Sequence, residues 1–284
     1  MPTVTTADGV RIHYAVGGRR DGEPVLCIQG LGTDSRGWLW QRAALGRRYR
    51  VITFDNRGAG RSDAPPGPYD LDVMADDAAA VLDATGYGSA HVLGASMGGV
   101  IAQKLALRHP HRVRSLVLAC TACHTDPWRQ EILERWAVEA ETLGSRRFLL
   151  ANLDWLTSGG CSRWFWSLYA RLVPQPFASS AQGFVGQVHA CLGAADYRPA
   201  LATISAPTLV VAGKRDRLTP VDDSVELARL IPDAELNVIP GAGHLFPIER
   251  AATFNRMLLR FLAAQGSPRK ELPPARSLGA EEGI

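Results

Sequence analysis

Cysteine is scarce in this chain. The five residues Cys27, Cys120, Cys123, Cys161 and Cys191 are odd in number and dispersed, which excludes a disulfide framework and points to a reducing, cytoplasmic setting. Long apolar runs are also missing: none approaches the roughly 18 residues of a membrane span, so no membrane association is expected. The first residues, Met1-Pro2-Thr3-Val4-Thr5-Thr6-Ala7-Asp8, offer neither a basic region nor an apolar stretch, so no signal peptide is expected. Charge of one sign is lacking too. Lys and Arg total 31 against 28 Asp and Glu, a net +3, and the arginines are scattered, which argues against a nucleic-acid partner.

What is present is an ordinary globular balance, 46% hydrophobic and 21% charged over 284 residues. That length suits two domains, or one large α/β domain carrying an insertion. Val10 to Val16 alternates with period two and ends at Gly17-Gly18, a half-buried strand. Short continuous apolar runs at 24–28, 50–54, 91–95, 115–119 and 208–212 read as strands buried on both faces, as in parallel sheets. A more polar run at 235–239 belongs near the sheet edge. Helical patterns cover Leu71–Thr85, Met97–His109, Val221–Ile231 and Ala251–Ala264. The alternation predicts an α/β architecture, a mostly parallel twisted sheet with helices on both faces.

From 123 to 199 the alternation stops, and this stretch holds five of the seven tryptophans: Trp128, Trp136, Trp155, Trp164 and Trp166. It is expected to be a helical cap inserted into a core formed by 1–122 and 200–265. Residues 266–284 are small, charged and Pro-rich, the composition of a disordered tail.

The strongest chemical signal is Gly94-Ala95-Ser96-Met97-Gly98 between a buried strand and a buried helix. This G-x-S-x-G pattern turns a strand sharply into a helix and lifts the serine hydroxyl above the sheet. A serine needs a base, and the base needs an orienting carboxylate. Asp216 follows the strand at 208–212, with Asp222 and Asp223 as competitors for its role. His244 follows the strand at 235–239 on the loop Pro240-Gly241-Ala242-Gly243. Both fall at carboxyl ends of strands, where open α/β sheets place their sites. The expected catalytic set is therefore Ser96, His244 and Asp216. Leu31 and Met97 N–H groups are the expected oxyanion donors, with Gln29 and Gly30 shaping the loop at the substrate.

The order of serine elbow, acid and histidine resembles the α/β-hydrolase fold superfamily over residues 8 to 264. Asp55-Asn56-Arg57-Gly58-Ala59-Gly60-Arg61-Ser62-Asp63 matches a turn that is structural in most of that family. Leu31-Gly32-Thr33-Asp34-Ser35-Arg36, the stretch from Arg61 to Tyr69, and Ser96-Met97-Gly98-Gly99 are similar to 3-oxoadipate enol-lactonases and related esterases. The resemblance implies a cofactor-free serine hydrolase acting on a small-molecule ester or lactone. Same-fold C–C bond hydrolysis, perhydrolysis and cyclising chemistry remain alternatives, and a non-catalytic small-molecule receptor is a remote one. A homodimer is compatible with the sequence.

Cys120-Thr121-Ala122-Cys123-His124 spells a haem-attachment pattern, but it follows a buried strand with no export signal. No metal is expected there, since no second ligand pair lies nearby in sequence. In the insertion, Trp128, Trp155, Trp164 and Trp166 are expected to roof the substrate pocket. Trp38 and Trp40 either line that pocket or begin a helix packed on the sheet. Arg129, Arg163 and Lys214 are the cations available to an anionic substrate.

Overall fold

The computed structural model describes residues 2–172 and 178–266. The expected tail therefore lies, apart from Gly266, outside the described residues. The strands are β1 (Thr3–Thr5), β2 (Arg11–Gly18), β3 (Pro24–Ile28), β4 (Arg50–Phe54), β5 (Ala90–Ala95), β6 (Val113–Ala119), β7 (Thr208–Gly213) and β8 (Ala234–Ile239). The helices are α1 (Leu39–Leu45), α2 (Leu71–Ala84), α3 (Met97–Arg108), α4 (Pro127–Leu156), α5 (Gly160–Leu172), α6 (Ala181–Leu192), α7 (Val221–Leu230), α8 (Phe246–Glu249) and α9 (Ala251–Ala264). One eight-stranded sheet runs in the order β1-β2-β4-β3-β5-β6-β7-β8. β2 pairs antiparallel with β1 and β4, and from β4 to β8 every neighbouring pair is parallel.

The period-two geometry of a strand divides the core cleanly. Leu26, Ile28, Ile52, Phe54, Val92, Leu116, Leu118 and Val210 point to one face, where α2, α3 and α7 cover them through Met74, Leu82, Ile101, Leu105 and Leu227. Val25, Cys27, Val51, Leu93, Val117, Leu209 and Val211 point to the other, under α1, α8 and α9 with Trp38, Leu45, Phe246, Phe254 and Leu258. Every residue of β3, β5 and β7 is buried, as the continuous apolar runs required. β8 is polar because it is an edge strand with one neighbour.

β1 is new relative to the sequence reading; a three-residue Thr-Val-Thr strand is too short to show a period. Asp70 caps α2 by accepting from the Asp72 and Val73 N–H groups, which satisfies orphan donors of its first turn. Arg57 binds the buried Asp77 of α2 through two 2.7 Å hydrogen bonds and also holds Asp8. Its role in the 55–63 turn is thus to tie that turn to the core.

The stretch between β6 and β7 forms α4, α5 and α6. α4 is broken at Gly144, whose φ of 71° lies in the left-handed region. These helices have their own apolar cluster: Ile132, Leu133, Trp136, Phe148, Leu149, Leu153, Phe184 and Val188. Leu31, Leu218 and Leu245 join that cluster from loops of the sheet. α6 docks closely, and a Cβ on Gly183 would lie 2.1 Å from the Gly58 carbonyl oxygen. Only glycine permits that approach.

Candidate active site

Ser96 sits at the sharp junction of β5 and α3 with φ 55° and ψ −125°, a conformation that non-glycine residues seldom adopt. The surroundings leave no room to relax it. A Cβ on Gly94 would meet the Gly98 carbonyl oxygen at 2.3 Å, and one on Gly98 would meet the Ile28 carbonyl oxygen at 2.2 Å. Thr121 Oγ1 donates to the Ser96 carbonyl at 2.8 Å, and the Ser96 N–H donates to Ala119 at 2.9 Å. The elbow is clamped from β6 as well as by its own glycines.

His244 Nε2 lies 3.0 Å from Ser96 Oγ, and His244 Nδ1 lies 2.8 Å from Asp216 Oδ2. Both His244 and Asp216 are buried. Asp216 is further fixed by the N–H groups of Leu218 and Thr219, each donating to Oδ1 at 2.9 Å. Asp222 and Asp223 fall outside this chain of contacts; Asp223 instead binds Arg129 at 2.5 Å. The structure thus brings together Ser96, His244 and Asp216 from positions far apart in the chain.

The loop after β3 crosses in front of the serine. A Cβ on Gly30 would lie 3.0 Å from Ser96 Cβ and 3.1 Å from the Ala95 carbonyl oxygen, tighter than ordinary contact, so glycine relieves crowding at this crossing. Gln29 Oε1 accepts from the Gly30 N–H at 3.1 Å, and Asn56 Nδ2 donates to the Gln29 carbonyl at 2.8 Å. Among the described residues no acceptor is found for the N–H groups of Leu31 or Met97. Both residues line the same cavity as Ser96.

Two contributors escaped the sequence reading. Thr219 Oγ1 donates to Asp216 Oδ2 at 2.7 Å and lies 3.3 Å from His244 Nδ1. A hydroxyl three residues after an aspartate in a strand-end turn is the signal that points to it. Gln187 of α6 is fully buried, accepting from the Gly32 N–H at 2.9 Å and donating to the Arg57 carbonyl at 2.8 Å. A glutamine in a short helix that also carries Gln182 and His189 gives no hint of such distant partners.

A cavity of about 640 Å³ extends from Ser96 and His244 beneath the inserted helices. Of the tryptophans expected to roof it, Trp166 does so, together with Trp136, Phe148, Phe165, Tyr169 and Phe184. The other three require correction. Trp128 stacks on Trp155 with ring centroids 6.3 Å apart, and Arg129 and Arg217 cover their outer faces at 4.8 and 4.9 Å. Those indole faces are engaged by each other and by guanidinium groups, and neither indole lines the cavity. Trp164 is 68% exposed on the outer side of α5.

Trp38 is fully buried beneath the sheet at the start of α1 and Trp40 is exposed, so neither joins the cavity. Arg129 lines the cavity, but its guanidinium is committed to Asp223 and to the carbonyls of Leu218 and His124. Arg163 pairs with Asp154 on the surface. Among the described residues no helix is long and apolar enough to cross a membrane.

A sheet of this order, with a strained serine after its fifth strand and a buried histidine after its last, defines an α/β hydrolase. A family model described as alpha/beta hydrolase fold matches residues 23–251, and the chain belongs to that family. It is a hydrolase enzyme. The RutD protein of Caulobacter segnis, whose name assigns it provisionally as a carbamate hydrolase, is 34% identical over 271 residues, covering 92% of this chain and 98% of the relative. A 3-oxoadipate enol-lactonase of Acinetobacter baylyi is 31% identical, covering 88% and 92%. The crystal structure of an enol-lactonase from Burkholderia xenovorans superimposes with a TM-score of 0.84 at 30% identity, covering 92% of this chain and all of that one.

Proposed function

We propose that this hydrolase cleaves a carboxylic ester or lactone through an acyl-enzyme formed on Ser96. The observation that carries this reading is the unbroken hydrogen-bonded chain from Ser96 Oγ through His244 to Asp216, 3.0 and 2.8 Å long. His244 Nε2 takes the serine proton as Oγ attacks the carbonyl carbon, then delivers it to the departing alkoxide. Asp216 accepts from His244 Nδ1–H throughout, which fixes the tautomer and stabilises the imidazolium. Two bonds from backbone N–H groups and one from Thr219 keep the carboxylate oriented. The Leu31 and Met97 N–H groups hold the oxyanion of the tetrahedral intermediate, a contribution of about 3–4 kcal/mol per donor at such sites. Water then repeats the sequence on the acyl-enzyme, with His244 as its base.

Residues 123–199 act as the cap, and 1–122 with 200–265 as the catalytic core. The aromatic and aliphatic lining of the cavity supports a substrate with a substantial apolar body. Carbamate hydrolysis is a second reading, favoured by the name of the Caulobacter segnis relative; a carbamate carbonyl meets the same nucleophile and oxyanion donors. Side-by-side turnover of p-nitrophenyl esters, enol-lactones and carbamates tests the assignment. Ester or lactone cleavage that is lost in Ser96→Ala supports it. Carbamate turnover alone would transfer the assignment to the second reading, and near-wild-type ester cleavage by Ser96→Ala would remove Ser96 from the mechanism.

A further inference from the structure

Cys123 and His124, in the loop after β6, meet a carboxylate that the sequence places 103 residues further on. Cys123 Sγ lies 3.6 Å from Glu226 Oε2 and 3.9 Å from His124 Nδ1, and His124 Nδ1 lies 3.1 Å from Glu226 Oε2. These three atoms form a compact triangle of one sulfur, one imidazole nitrogen and one carboxylate oxygen. A tetrahedral zinc ion, with a bond of about 2.3 Å to sulfur and about 2.0–2.1 Å to nitrogen and oxygen, needs donors roughly 3.4–3.6 Å apart. The observed edges bracket that spacing without any rearrangement of the backbone.

The surroundings orient the donors as a metal requires. His124 Nε2 lies 2.9 Å from Asp126 Oδ1; in the tautomer that donates Nε2–H to that carboxylate, the Nδ1 lone pair faces the cluster. A carboxylate on the far nitrogen is the usual companion of a metal-binding histidine. It also leaves Nδ1 and the Glu226 oxygen facing each other as two acceptors, a contact that only a cation or an extra proton can satisfy. Arg198 holds the other Glu226 oxygen at 3.4 Å. Cys123 is buried, and His124 and Glu226 are half-buried. Cys123 and His124 also line the cavity that contains Ser96.

We propose that Cys123 Sγ, His124 Nδ1 and Glu226 Oε2 bind a divalent cation of the zinc class, with water or a ligand atom completing the tetrahedron. A mixed sulfur, nitrogen and oxygen set suits this borderline-soft ion better than magnesium or calcium, which take oxygen. The binding step is exchange of the Cys123 thiol proton for the cation: the S–H bond breaks, the sulfur–metal bond forms, and H⁺ leaves to solvent. The expectation of no metal rested on the lack of a second ligand pair in the sequence. The third donor comes instead from α7, which the sheet topology brings alongside.

The test uses the full chain, reduced and stripped with a chelator, titrated with Co²⁺ as a spectroscopic stand-in and then with Zn²⁺. One equivalent should bind with a near-ultraviolet thiolate-to-cobalt band and tetrahedral visible bands, release about one proton per cobalt, and be displaced by zinc. Cys123→Ser should abolish the thiolate band. Glu226→Gln, outside the cavity lining, should weaken binding by at least about tenfold and remove the rise in thermal midpoint that zinc gives the wild type. Ser96→Ala should bind metal as the wild type does, which separates this site from the proposed catalysis. The proposal fails if no thiolate band appears, if the band survives in Cys123→Ser, or if Glu226→Gln binds with wild-type affinity. Should Cys123→Ser not fold, proton release and the Glu226→Gln titration decide the matter.

Discussion

The loops at the carboxyl end of the sheet and the helices between β6 and β7 enclose one cavity, yet they are built by different rules. In the loops, position follows from backbone geometry. Gly30 in the loop after β3, and Gly94 and Gly98 on either side of the β5–α3 junction, pack where a Cβ would fall within 2.2–3.0 Å of a neighbour, and Ser96 between them is held at positive φ. The Asp216 carboxylate is fixed by bonds from the Leu218 and Thr219 main-chain N–H groups. In the inserted helices, position follows from side-chain packing. Trp136 meets Phe148 edge-on at 5.7 Å, and Phe148 meets Phe184 at 5.0 Å, while Trp164 and Leu172 face outward. A region fixed by backbone constraints tolerates almost no substitution at its key positions. A region fixed by packing tolerates many, and its tolerance varies along its length.

The largest expected effect is in the loops. Asp216→Asn keeps the shape of the site but reverses the hydrogen-bond demand on His244 Nδ1, and should lower kcat by about 10⁴-fold with little change in thermal midpoint. Steady-state kinetics beside a melting curve checks both halves. A loss in midpoint matching the loss in rate would show that the two regions are not built differently after all.

The next effect divides the insertion itself. Trp136→Ala should destabilise by about 3–5 kcal/mol, because it empties a buried space bordered by Phe148 and removes the indole donor to Asn152. Trp164→Ala should change stability by no more than about 0.5 kcal/mol and leave kcat/KM unchanged. Denaturant titration of the two variants tests the contrast, and equal costs would contradict it.

Gln187→Leu probes the seam between the regions. It leaves the Gly32 N–H and the Arg57 carbonyl without their partner, and should cost about 1–3 kcal/mol. Because the affected loop carries Leu31, kcat should fall further than KM rises. A variant with wild-type kinetics would show that the loop holds its shape without α6.

The smallest effect is a pH dependence in the core. His91 is buried against Ser115, with Glu23 and Arg114 nearby, and burial lowers its pKa below the usual 6.5 despite the opposing Glu23. The unfolded chain therefore binds a proton at a pH where the folded chain does not. Stability should fall as pH drops from about 6.5 towards the lower folded value, and be unaffected by this group above that window. Melts of the wild type and His91→Gln across pH 5–8 should converge at the acid end relative to neutral pH; parallel curves would contradict the assignment.

This division also explains what could be read from the chain. β3, β4 and α9 fall where the apolar runs and helical periodicity put them, because burial on both faces of a strand or one side of a helix is a local pattern. Ser96, Asp216 and His244 were legible for a related reason: each stands at the end of a recognisable strand with its own turn residues. Trp128 and Trp155 were not, since whether an indole faces a cavity or a guanidinium depends on partners such as Arg217, far away in sequence. Gln187 and Glu226 were invisible for the same reason, each acting across more than a hundred residues.

Covalent capture with a fluorophosphonate, followed by peptide mapping, reads the nucleophile itself. The relay from Asp216 through His244 predicts a single adduct on Ser96, formed rapidly in the wild type and far more slowly in His244→Ala. Folded wild-type protein that resists the reagent, or carries the adduct elsewhere, would contradict it.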